Sequence, residues 1–196
     1  MPDFSPYSGF QGSRFVVGGN LADVALAIKG LSSEAHPEGV LIFDNASGRV
    51  VDIDFRGDAA EVLARLPAEA VTPNEPPEDA PRGPGRPKLG VVAKEVTLLP
   101  RHWEWLSAQP GGASVALRKL VEDARRANAG RDRVRQAQER AYRFLSATLA
   151  DAPNLEEAER ALFAGQQAAF EDLSGTWPAD LRRHVLLLAE DAWEQA

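Results

Sequence analysis

Lys94-Glu95-Val96-Thr97-Leu98-Leu99, then Pro100-Arg101-His102-Trp103-Glu104-Trp105-Leu106, then Gly111-Gly112-Ala113-Ser114 and Leu117-Arg118-Lys119-Leu120-Val121 follow one another within residues 94–121. The first run is β-branched and apolar enough for a short strand, Pro100 suits the first turn of a helix, and Gly111-Gly112 interrupt that helix before a second opens near Ser114. A lone strand leaves backbone groups unpaired on both edges. A two-helix hairpin of about 30 residues cannot bury its own apolar stripe either, so the unit needs a partner. The most economical partner is a second copy of the chain, with the two strands paired antiparallel and the helices interlocked.

Working outward, residues 67–91 are marked by Pro67, Pro73, Pro76, Pro77, Pro81, Pro84 and Pro87, together with Gly83, Gly85, Arg82, Arg86 and Lys88. Such a stretch builds neither helix nor ladder and is expected to be a Pro-rich basic linker. Before it, Arg14-Phe15-Val16-Val17 reads as a strand. Asn20 then caps a helix whose Leu21, Val24, Ala25, Ile28 and Leu31 recur at three and four. Gly39–Asp44 and Arg49–Phe55 form a hairpin about Asn45-Ala46-Ser47-Gly48, and Asp58 caps a helix to Leu66. Residues 1–66 are thus expected to be a small β-α-β-β-α domain, followed by the linker, the strand-helix-helix unit at 92–127 and a C-terminal helical region at 128–196. In that last region Asn154 and Glu157 have capping-box spacing, Gly165 ends a helix, and Leu181, Val185 and Leu188 mark a buried face. The fold class is α+β.

Composition limits the chemistry. The 196 residues include no cysteine, so disulfides, thiolate nucleophiles and Cys-type metal sites are excluded, and a cytoplasmic setting is expected. His36, His102 and His184 lie far apart, so no metal or other cofactor is implied, and His102 and His184 are expected to cap or pack. No apolar run approaches a membrane span. The net charge of -7 conceals an asymmetry: residues 1–81 carry -8, residues 82–143 carry +8 and residues 144–196 carry -7. A basic middle third in an acidic chain suits an anionic partner, and duplex DNA is the commonest candidate.

The stretch from Val96 to Val121 resembles the ribbon-helix-helix DNA-binding family in order and spacing, over about residues 92–126. That resemblance implies a homodimer through residues 93–124 whose paired strands enter the major groove, and a phosphate held at the start of the second helix. Such proteins bury the residue before the proline, here Leu99, which turns Lys94, Val96 and Leu98 toward the bases. The opposite register turns Glu95, Thr97 and Leu99 outward, and dimerisation without DNA is a third arrangement. Ser114 stands where the phosphate would bind, with Arg118 and Lys119 one turn on. Trp103 with Leu106 suits the dimer core, and Trp105 is expected to pack on the C-terminal helices. Gly85-Arg86-Pro87 resembles half of an AT-hook, with Pro84 in place of its first arginine and Arg82 displaced by two. The other reading is a basic flexible linker. Arg82, Arg86, Lys88, Lys94, Val96, Leu98, Ser114 and Arg118 are therefore the candidate DNA-binding residues.

Other constellations carry less. Asp52 and Asp54 share a strand face without a histidine or nucleophile beside them, and Gly18-Gly19-Asn20 lacks the spacing of a phosphate loop. No catalytic residue is expected. Taken end to end, from Leu41-Ile42-Phe43-Asp44 through Leu98-Leu99-Pro100-Arg101-His102-Trp103 to Arg160-Ala161-Leu162-Phe163-Ala164-Gly165, the chain also looks like an uncharacterised bacterial domain of unknown function. The expected role is homodimeric DNA binding, as a transcriptional regulator or an architectural protein. The alternative is a dimeric protein-interaction or ligand-sensing module.

Overall fold

The computed structural model describes residues 5–31, 39–67, 92 and 94–194. The chain divides into two units, the first made of residues 1–73 and 130–196 and the second of residues 74–129. The class is α+β. In the first unit β1 (Tyr7–Gln11), β2 (Arg14–Gly19), β3 (Val40–Asp44) and β4 (Arg49–Val50) form an antiparallel sheet in the order β2-β1-β3-β4. The sheet has one strand more than the sequence pattern shows, because β1 joins the edge of β2 through a two-residue turn at Gly12-Ser13 and lies at the centre.

Side-chain alternation explains how this small sheet is covered on both faces. Gly9 and Ile42 face α1 (Leu21–Leu31) and α2 (Ala59–Arg65), where Val24, Ile28, Phe55 and Val62 close one core. A Cβ on Gly9 would stand 3.2 Å from Ile28 Cδ1, so the bare backbone sets how closely α1 approaches. Phe10 and Phe43 point the other way, into a second core built by α4 (Gly112–Thr148), α5 (Leu155–Phe163), α6 (Gln167–Leu173) and α7 (Ala179–Leu188). Ala137, Ala141, Phe144, Leu145 and Leu149 supply the stripe of α4, and Leu181, Val185 and Leu188 that of α7. Among the described residues no helix is long and apolar enough to cross a membrane.

Local signals account for most boundaries. Asn20 Oδ1 accepts the Asp23 N–H at 2.9 Å, and Asp58 and Glu61 complete a reciprocal capping box. Asn154 does not cap: it adopts a left-handed conformation, φ 61°, and its side chain makes no cap bond, so the capping-box expectation fails there. The hairpin is also shorter than its apolar pattern. The Val51 N–H still reaches the Ile42 carbonyl at 2.7 Å, but beyond it the chain leaves the ladder, and Ile53 and Phe55 bury themselves against α1 and α2 instead.

The hairpin turn is fixed from two sides. Asp44 accepts Ala46 N–H at 3.0 Å and Ser47 Oγ–H at 2.6 Å, and the Ser47 carbonyl accepts a bond from Arg143 at 2.6 Å. Gly48 has φ 69°, and a Cβ there would run into the backbone of Arg140 on α4. Gly48→Ala therefore combines left-handed strain with a clash against helix backbone. It is expected to cost about 2–3 kcal/mol and to lower Tm by about 5–10 °C in a thermal melt. Gly12→Ala also has positive φ but open space around it and serves as the control, with a smaller loss.

In the second unit α3 (Pro100–Ser107) has Pro100 in its first turn and buries Leu106, and α4 begins at Gly112 after Gly111, both glycines at positive φ. Residues 94–99 are not in a strand within the single chain. Leu99 is extended, φ -66° and ψ 149°, and residues 94–98 make no backbone hydrogen bond to another described residue. The expected ladder requires a second chain, so a single copy leaves these donors and acceptors open. The second helix does not stop after one hairpin arm but continues through α4 to Thr148.

Candidate functional site

Of the residues singled out for DNA binding, Lys94, Val96, Leu98, Ser114 and Arg118 are described, and Arg82, Arg86 and Lys88 lie outside the described residues. Lys94, Val96, Ser114 and Arg118 are exposed or half-buried at the surface, as is Leu98. Val96 is 54% and Leu99 49% exposed, so neither of the two registers has a buried face in the single chain. Farther on, Trp103, Leu120 and Val121 are exposed too, Val121 at 64%. Trp105 is 53% exposed. These apolar side chains lie on the three elements that a strand-helix-helix dimer buries.

At the start of α4 the first turn contains no acidic side chain. Ser114 is the third residue of the helix, where main-chain N–H groups have no intrahelical acceptor and the helix dipole is positive. Arg118, Lys119 and Lys94 form no ion pair with another described residue. Other basic side chains of the middle third are committed to the protein itself. Arg125 and Arg126 reach Glu122, and Arg135 pairs with Asp132 at 2.9 Å. Arg140 Nε donates to the Leu188 carbonyl at 2.6 Å and its Nη2 meets Asp191 at 3.1 Å, while Arg143 holds Ser47 and Glu139. The described cations of the middle third without an ion pair to a described residue are thus those at residues 94–119 together with Arg131.

The two aspartates behave as solvated surface. Arg56 makes a two-pronged pair with Asp54 and holds its carboxyl well below the usual carboxylate range, and Asp52 is exposed. Among the described residues no three acidic or histidine side chains stand together as metal ligands.

A polar cluster that the sequence does not reveal lies in the first unit. His184 on α7 is 5% exposed, with its ring between Phe10 and Phe144 at centroid distances of 5.0 and 4.8 Å. Its Nε2 meets Asn45 Oδ1 at 3.1 Å, and Asn45 Nδ2 donates to the Ser5 carbonyl and to Ser8 Oγ, both at 2.7 Å. Because Asn45 uses its amide nitrogen as donor, its oxygen must accept, and the proton of neutral His184 sits on Nε2. Residues 45 and 184 are 139 apart in sequence, and the local hint is a histidine on the buried stripe of an amphipathic helix. A cleft of about 490 Å³ opens beside the pair, walled by Phe15, Leu186 and Leu187 and edged by Asp180, Arg183 and Glu190.

Burial, and then the neighbouring Arg183 charge, lower the His184 pKa from 6.5 to about 4. Above pH 6.5 the imidazole is neutral in native and unfolded chains alike. Between 6.5 and 4 the unfolded chain takes up a proton that the native state refuses, so stability falls as pH falls through that window. Going from pH 7 to pH 5 should cost wild type about 2 kcal/mol more than His184→Gln, which keeps an N–H for Asn45 but does not titrate. Urea unfolding at the two pH values measures the difference, and equal losses would show that His184 is not buried neutral.

No curated protein and no solved structure matches the chain. A family model described as an uncharacterized protein conserved in bacteria (DUF2239) matches residues 6–189. That span holds the sheet with its polar cluster as well as the extended segment and the helices of the second unit. The chain belongs to this bacterial family, DUF2239.

Proposed function

We propose that the protein is a homodimeric DNA-binding protein, a transcriptional regulator or an architectural protein, that uses residues 92–127 as a ribbon-helix-helix-like unit. The observation that carries the reading is the segment 94–99, outside any strand in the single chain, with residues 94–98 unpaired along their backbone, and followed by two helices that leave Trp103, Leu120 and Val121 exposed. Pairing with the same segment of a second copy satisfies the backbone and covers the apolar side chains in one step. Support on the DNA side comes from Lys94, Ser114, Arg118 and Lys119, which offer basic groups and a helix start without local acidic partners. Arg82, Arg86 and Lys88 add a cationic arm in sequence, placed to extend phosphate contacts.

Specificity is expected to be modest. Val96 and Leu98 can touch a thymine methyl but cannot read donors or acceptors, which leaves Lys94 as the polar reader in that register. The ratio of specific to random binding is therefore placed at the low end for DNA-binding proteins, about a thousandfold.

Light scattering combined with DNA titration of Val96→Pro tests the coupling between the dimer and DNA. Proline removes a ladder donor, so the variant should shift from dimer toward monomer and lose duplex binding together with it. A monomeric wild type at micromolar concentration overturns the ribbon-helix-helix reading. A dimer that binds no DNA selects instead the protein-interaction module.

A further inference from the structure

We propose that the cleft beside His184 binds an apolar primary amine, holding its ammonium group with the free lone pair of His184 Nδ1 and the carboxylate of Glu190. Most hydrogen-bonding groups around the cleft are already used. Both amide protons of Asn45 are given away, to Ser5 and Ser8, and the His184 Nε2 proton goes to Asn45. The second ring nitrogen, Nδ1, is therefore a bare acceptor. It has no hydrogen-bond partner among the described residues and is not sealed inside the protein, and the cleft is the space that His184 lines.

The charged edge is biased in the same direction. Asp180 is spent, since one oxygen accepts the Phe15 N–H and the other pairs with Arg183, each at 2.9 Å. Glu190 is exposed and has no partner among the described residues. What remains open is the imidazole lone pair and the Glu190 carboxylate as acceptors, with the hydroxyl protons of Ser5 and Ser8 as donors, and because Asp180 and Arg183 cancel, Glu190 leaves the edge with one net negative charge. A donor-rich cation matches that inventory and an anion does not. The walls of Phe15, Leu186 and Leu187 ask for an apolar body, and about 490 Å³ lies within the size range of small-molecule sites. Burial keeps His184 neutral at pH 7, so its Nδ1 accepts a proton donor without repelling the cation.

Calorimetry and ligand-observed NMR on the full chain decide the matter with three probes of one shape: 2-phenylethylamine, 2-phenylethanol and 3-phenylpropionate. The amine should bind saturably and about tenfold more tightly than the carboxylate. Glu190→Gln, a surface change that leaves the core alone, should weaken the amine several-fold and leave the alcohol unchanged. Leu187→Trp should block both. The 15N signal of His184 Nδ1 should move as the amine is added, which links the binding to this cleft. Absence of saturable amine binding at millimolar concentration overturns the proposal. So does preference for the carboxylate, or amine affinity unchanged in Glu190→Gln.

Discussion

Replacing Phe144 by alanine is expected to destabilise the first unit by about 3–5 kcal/mol, the range for deleting a fully buried aromatic ring. The ring of Phe144 is wholly inaccessible and meets Phe43 at 4.7 Å, His184 at 4.8 Å and Phe10 at 5.4 Å. Those partners come from β1, β3 and α7, so one side chain of α4 is where the sheet and the C-terminal helices close their shared core. Phe144→Leu refills most of the volume and should cost less than about 2 kcal/mol. Urea unfolding followed by near-ultraviolet circular dichroism separates the two variants. A loss below about 1 kcal/mol for Phe144→Ala would mean that the sheet is not seated on α4.

Ser114→Glu is expected to weaken duplex binding about a hundredfold, the largest loss expected from a substitution that leaves the dimer intact. In the proposed complex each copy places one phosphate against the amides that open α4. A carboxylate there occupies the same acceptor-seeking site and repels the phosphate, at about 1.4 kcal/mol per copy and twice that for a dimer. The first turn of α4 has no acidic residue in the wild-type chain. Glutamate near a helix N-terminus is itself favourable for the helix, so the variant should fold at least as well as wild type. Ser114→Ala, which keeps the backbone amides, should lose only a few-fold. Anisotropy titrations of a labelled duplex give both values, and equal effects of the two substitutions would remove the phosphate from this helix end.

The parts of the fold set by short-range chemistry were legible in the sequence. Asn20 and Asp58 announce their helices, Asn45-Ala46-Ser47-Gly48 announces its turn, and Leu181, Val185 and Leu188 announce a buried face. β1 was not, because Tyr7-Ser8-Gly9-Phe10-Gln11 holds two small residues where a central strand usually carries branched ones. Gly9 is small because α1 lies on it, and Ser8 because Asn45 bonds it. The cover on the second face of the sheet was equally hidden, since Phe10 and Phe43 find Phe144 about a hundred residues or more later in the chain.

The candidate site divides the same way. Charge counting locates a basic middle third, but it cannot tell an arginine left open to an anion from one that closes a helix end. Arg140 and Arg143 are of the second kind, bound to the Leu188 and Ser47 carbonyls, whereas Arg118 forms no ion pair with a described residue. The pairing of His184 with Asn45 depends on two elements meeting across the core, and no spacing in the chain encodes it.

DNA affinity measured as a function of salt tests the central proposal most directly. With six to eight phosphates neutralised per dimer, the slope of log affinity against log salt should lie at about -5 to -7. Removing the charges of Arg86 and Lys88 together should make it shallower by about one or two units per arm. A wild-type chain that shows no salt-sensitive binding to duplex DNA at about 50 mM salt, where even non-specific phosphate contacts are favoured, contradicts the account.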